Sequence, residues 1–232
     1  VVWSEMLVQF LSTRTYAFAV MLATYLSGLA LGSLLFTRLA RPHHDPWRML
    51  GLLLAGAGAS AILIVAVLGV WLPDAQTFAG MWAMRLTGRE TVEVLARFAV
   101  ASLAILLVPT THLGAAFPAA ALLAAGADRV GGDVGLVAAI NTAGGIAGTL
   151  LTGFVLVPRL GLVGTLALLA FAGTLLGAIA VVRSAKPKAI PLAVVLLLIV
   201  GITSLAVPRD RLARLLAEEK GGDLVFYQED AG

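Results

Sequence analysis

Long apolar stretches alternate with short polar ones along this chain. Residues 15–36, 49–72, 94–111, 134–157, 162–182 and 190–207 each form a run of 18 residues or more with almost no charge. About 20 apolar residues in a helix cross the roughly 30 Å hydrocarbon core of a bilayer. Inside the runs the apolar positions do not alternate with polar ones, as the strands of a membrane barrel require. A helix is the remaining form that closes its own backbone hydrogen bonds in lipid. The pattern therefore predicts an all-α integral membrane fold, a bundle of about six transmembrane helices.

The polar stretches predict where the chain turns. Residues 1–11 (VVWSEMLVQFL) are apolar but too short to cross alone, and are read as the end of a helix that begins before the sequence given. Ser12-Thr13-Arg14-Thr15 is the polar break after it. Residues 38–48 carry Pro42, His43, His44, Asp45 and Pro46. Residues 73–93 are expected to lie at the membrane interface, with Trp71 and Trp82 as headgroup-level anchors. Pro109 and Pro118 each remove a backbone donor, so a break is expected between them. Residues 118–125 then lie along the interface or continue the third helix past a kink.

Beyond residue 207 the pattern changes. Residues 209–220 (RDRLARLLAEEK) place Leu212, Leu215 and Leu216 on one face, as in a surface amphipathic helix, and Gly221-Gly222 ends it. Residues 223–230 (DLVFYQED) read as a short strand, which needs partners to be stable. The expected organisation is a transmembrane bundle over 1–207, an interfacial amphipathic helix and linker over 208–222, and the start of a C-terminal domain over 223–232.

Composition supports the membrane reading. Hydrophobic residues make up 60% and charged residues 12% of the 232, and the mean hydropathy is +0.99. Soluble domains average about 45–50% apolar and about 25% charged residues, so this chain lacks the polar coat that water requires. The 25 glycines suit helices that approach closely in lipid. Without cysteine there are no disulfides, thiolate metal sites or iron–sulfur clusters. Three histidines, His43, His44 and His112, argue against a catalytic metal centre. The net charge of +3 is better explained by basic loops beside anionic lipid than by nucleic acid. Lys and Arg divide almost evenly between the two sets of loops and set no orientation.

Few residues offer chemistry, and no catalytic residue, cofactor or metal site is expected. Glu5 lies in an apolar run, where a carboxylate is costly and faces the protein interior. It is either a substrate or proton contact or a buried partner of Arg14, itself readable as a headgroup anchor. His112 near a helix end reads as a structural group. Asn141, mid-span beside Thr142, suits an interhelical hydrogen bond. Gly28 and Gly32, and again Gly144 and Gly148, form GxxxG pairs that mark close helix contact. Ala143-Gly144-Gly145 is no phosphate loop, since no strand precedes it and no lysine follows. Glu93 and Arg97 form an i,i+4 pair in the favourable order.

Several segments carry a family likeness. Val2-Trp3-Ser4-Glu5, Ser12-Thr13-Arg14-Thr15-Tyr16-Ala17-Phe18 and Gly28-Leu29-Ala30-Leu31-Gly32-Ser33 resemble the opening of membrane-embedded spermidine synthase-like proteins, the fused major-facilitator/spermidine synthase family. Pro109-Thr110-Thr111-His112-Leu113-Gly114-Ala115-Ala116-Phe117-Pro118 and Asn141-Thr142-Ala143-Gly144-Gly145-Ile146-Ala147-Gly148 resemble that family's middle. Tyr227-Gln228-Glu229-Asp230 resembles the strand that leads into its aminopropyltransferase-like domain.

The resemblance implies a membrane bundle, of the bacterial inner membrane, joined to a Rossmann-like domain for a decarboxylated S-adenosylmethionine-type donor and a polyamine. Gln228 is then the one possible nucleotide contact. The glycine-rich nucleotide turn and the acidic catalytic loop of such enzymes have no counterpart in these 232 residues. The function expected of this chain is thus membrane anchor and scaffold, with a substrate conduit as a further option. Its expected partners are the lipid bilayer and other membrane subunits or further copies of itself. The alternatives are a structural accessory subunit of a larger membrane complex and a small transporter or half-transporter. A break between Pro109 and Pro118 would favour the transporter, and the scarcity of intramembrane charge disfavours ion coupling.

Overall fold

The computed structural model describes residues 2–39, 45–125, 130–184 and 189–208, with the backbone alone for 2–15, 39, 68 and 70. These residues form six α-helices and one π-turn, with no strand among them. The helices are α1 (Val2–Leu39), α2 (Pro46–Thr87), α3 (Glu90–Ala124), α4 (Val130–Leu151), α5 (Val157–Val182) and α6 (Ile190–Ala206), and the π-turn is Thr152–Leu156. The expected C-terminal amphipathic helix and strand, and His43, His44 and Gln228, lie outside the described residues.

Four helical stretches are long and apolar enough to cross a membrane: Tyr16–Arg38, Pro46–Val67, Glu90–Ala124 and Val130–Val182. This differs from the expected six in two places. The runs at 134–157 and 162–182 belong to one helical stretch of 53 residues, and α6 is an apolar helix of 17 residues. Inside the long stretch Gly161 is non-helical, with φ 72° and ψ 172°, a backbone conformation confined essentially to glycine. The π-turn stands four residues before this corner.

Three expected breaks are absent. The helix α1 runs unbroken through Ser12-Thr13-Arg14-Thr15, because polar side chains alone do not stop a helix that meets neither glycine nor proline. The helix α3 runs unbroken through Pro109 and Pro118. In the two residues after Pro109, the Thr110 and Thr111 hydroxyls donate to the carbonyls of Leu106 and Leu107, at 2.6 and 2.7 Å. The helix α2 likewise continues through Pro73 to Thr87. Residues 73–93 are therefore helical on both sides of Gly88 and form the tip of a long α2–α3 hairpin. At 1.5 Å per residue, α2 is about 63 Å long, roughly twice a hydrocarbon core.

Caps fix the hairpin ends. Asp45 caps α2 by accepting from the Trp47 backbone N–H at 3.0 Å. Its other carboxylate oxygen accepts from the Ser184 hydroxyl at 2.7 Å, which ties the end of α5 to the start of α2. Gly88, with φ 63°, closes α2 through a bond to the Met84 carbonyl, so the chain turns into α3 in two residues.

The packing puts small residues inside and large ones outside. Ala55, Ala119, Ala193 and Thr174 are buried, and few large side chains join them; Ile62, Val181 and Val200 are the largest fully buried apolar ones. Facing out are Phe154 (74% exposed), Leu176 (60%), Ile202 (66%) and Leu205 (90%). Water would favour the opposite arrangement. Small residues at helix contacts and large apolar ones around them are what association in hydrocarbon favours, so the fold is compatible with an integral membrane protein.

Candidate functional site

The glycines of α1 show what a small-residue face does when it is occupied. A side chain at Gly28 would collide with Thr110 of α3, and one at Gly32 with the Thr111 backbone. Gly114 of α3 returns the contact by lying against the backbone of Leu29. Helices α2 and α5 meet in the same way: a Cβ at Gly51 would come within 2.5 Å of the Gly177 carbonyl oxygen. Through these contacts α1, α2, α3 and α5 form the packed body, and α6 lies against α5 with Val200 beside Ala170.

The second GxxxG pair behaves differently. No described atom lies within 4 Å of a side chain built at Gly144 or Gly148, and every residue from 139 to 151 is exposed. Among the described residues the pair therefore makes no close helix contact, unlike the sequence expectation. The helix α4 touches the body at few places, and a cleft lies between them.

That cleft encloses about 470 Å³ and is walled by α1, α2, α3 and α4. Volumes of about 300–1,000 Å³ are typical of small-molecule sites. Tyr25, Leu29 and Ser33 follow one another at four-residue spacing down the α1 wall, and Leu113 and Phe117 do so on α3. Val137 and Asn141 line it from α4. The lining is mainly apolar, with three neutral polar groups and no charged side chain among the described residues.

The residues singled out from the sequence fall in separate places. Asn141 is in the cleft. Its amide makes no hydrogen bond to a described residue, so the structure does not pair it with another helix of this chain as expected. His112 is outside the cleft: its Nδ1 donates to the Val108 carbonyl at 2.8 Å, and its ring lies against Gly56 of α2. Glu5 and Arg14 sit on the N-terminal half of α1, and their side chains lie outside the described part. Among the described residues, no group of three potential metal ligands comes together.

Sequence reading missed Tyr25 and Ser33, which only helix placement brings opposite Asn141. Their four-residue periodicity with Leu29 is visible in the sequence, but nothing there says which neighbour the stripe faces. The polar tip of the α2–α3 hairpin was partly foreseen. Arg97 donates to Glu93 at 2.7 Å, and the Gln76 amide donates to the Arg97 carbonyl at 3.2 Å. Phe78 and Trp82 pack beside them, ring centroids 6.2 Å apart.

No family model, no curated protein and no solved structure matches this chain.

Proposed function

We propose that this chain is the membrane bundle of a spermidine synthase-like protein, crossing the bacterial inner membrane six times and serving as its anchor and scaffold. The observation that carries the membrane reading is the packing: alanine, glycine and threonine at helix contacts, leucine, isoleucine and phenylalanine on the outside. The direction of the chain supports six crossings. Gly51 of α2 meets Gly177 of α5, while Gly58 meets Ala170, so these helices are antiparallel. Val200 beside Ala170 and Ala189 beside Val181 make α6 antiparallel to α5. A chain that turns back at the Gly161 corner, with α4 and α5 as separate crossings, fits these directions. The segments that resemble the family lie on α1, α3 and α4, and carry the family reading.

A fluorescent protein fused after Gly232 tests the anchor. It is expected to sediment with membranes, stay there through alkaline carbonate, and leave with detergent. Recovery in the soluble or carbonate fraction would end the anchor reading.

A second reading, accessory subunit of a larger membrane complex, draws support from α4, whose exposed Gly144/Gly148 face has room for a helix of another protein. Co-purification of a defined partner, lost on Gly148→Leu, would favour it. The transporter alternative loses its motive, because α3 continues through Pro109 and Pro118.

A further inference from the structure

We propose that the cleft between α4 and the packed body binds a membrane-soluble molecule with a long apolar chain and an uncharged hydrogen-bonding head, such as a long-chain alcohol. The inference rests on the membrane embedding proposed above. Three observations point to this class of ligand.

The first is unmet hydrogen bonding. Several hydroxyls elsewhere in the bundle are closed onto their own helices, Thr110 onto Leu106, Thr142 onto Ala138, Thr149 onto Gly145 and Thr174 onto Ala170, although the buried Thr165 and Ser204 hydroxyls are not. In the cleft, neither the Tyr25 hydroxyl, the Ser33 hydroxyl nor the Asn141 amide bonds to a described residue. Lipid tails offer no partner, so polar groups left open in hydrocarbon are costly. Between them these three groups supply donors and acceptors, and so can hold a hydroxyl or a carbonyl.

The second is charge. No Asp, Glu, Lys, Arg or His is among the described lining residues. A carboxylate or ammonium head entering this low-dielectric space would meet no counter-ion, whereas a neutral head incurs no such cost. The same argument disfavours a polyamine here, and so separates this cleft from the substrate of the related enzymes.

The third is shape. Leu29, Leu113 and Val137 provide an apolar wall for an alkyl chain. Its volume of about 470 Å³ admits one such chain rather than a whole diacyl phospholipid.

The test uses the full chain in nanodiscs of a single phosphatidylcholine and three diazirine probes of equal chain length: a hexadecanol, a hexadecanoic acid and a hexadecylamine. A chain that is not embedded fails at reconstitution, before any labelling, so the two failures are distinguishable. The alcohol is expected to label Leu29, Leu113 or Val137 saturably, and unlabelled hexadecanol to compete; the acid and amine label these positions more weakly. Asn141→Leu, and separately Tyr25→Phe with Ser33→Ala, are expected to weaken half-saturation about three- to tenfold. Val137→Trp, which fills the space, removes the saturable component. Competition on the unaltered chain decides the matter even where a variant misfolds. The proposal is overturned if the alcohol labels the cleft no more than Leu176 and Ile202 on the outer surface, without saturation. It is also overturned if the charged probes compete equally well.

Discussion

At the scale of single residues, each glycine's role depends on what stands opposite it. Gly32 and Gly148 belong to the same sequence pattern, yet one meets the Thr111 backbone and the other meets no described atom. Gly32→Ala forces α1 away from α3 and is expected to cost about 1–3 kcal/mol, the usual range for overpacking. Gly148→Ala, inside a helix with open space around it, is expected to raise stability by about 0.4–1 kcal/mol. Unfolding the two variants in mild detergent compares them directly, and equal losses would contradict the packing described. The pattern was legible in the sequence, but its occupancy was not, because GxxxG fixes how close a partner can come and not whether one does. Asn141 teaches the same lesson: its position mid-helix was readable, while the cleft it borders exists only once α4 is placed.

At the scale of elements, helices were legible and their ends were less so. A proline or a polar tetrad looks like a stop when read alone. In α3 the threonine hydroxyls bond to carbonyls beside the gap left by Pro109, and in α1 nothing opposes helix through Ser12-Thr13-Arg14-Thr15. The corner that does turn the chain is Gly161, whose signal was a single glycine after Pro158-Arg159-Leu160. Its φ of 72° with ψ of 172° is open to glycine and strained for any L side chain. Gly161→Ala is therefore expected to cost about 1–3 kcal/mol and to change the angle between α4 and α5. The readouts are thermal unfolding in detergent and the distance between spin labels on α4 and α5. A variant as stable as the parent, with the same distance, would show that the corner does not depend on the left-handed conformation.

At the scale of the whole molecule, the hydropathy pattern and the placement of side chains agree on the solvent. Composition already excluded a polar coat, and the fold adds that large apolar side chains such as Leu176 and Ile202 are on the outside. What sequence could not supply is the asymmetry of the bundle: a packed body on one side, and on the other a helix held away from it. Which helix faces come into contact depends on tertiary placement, and that placement is not encoded in hydropathy.

The central claim is that hydrocarbon surrounds these outer side chains, and since the chain has no cysteine, single cysteines report on it cleanly. The decisive measurement is the rate at which a water-soluble maleimide labels cysteines placed at Leu176, Ile202, Arg89 and Arg183 in sealed membrane vesicles. The account predicts that Arg89 and Arg183 positions react, from opposite faces of the membrane, while Leu176 and Ile202 positions stay unlabelled until the protein is unfolded. Labelling of Leu176 and Ile202 positions as fast as the other two would contradict it.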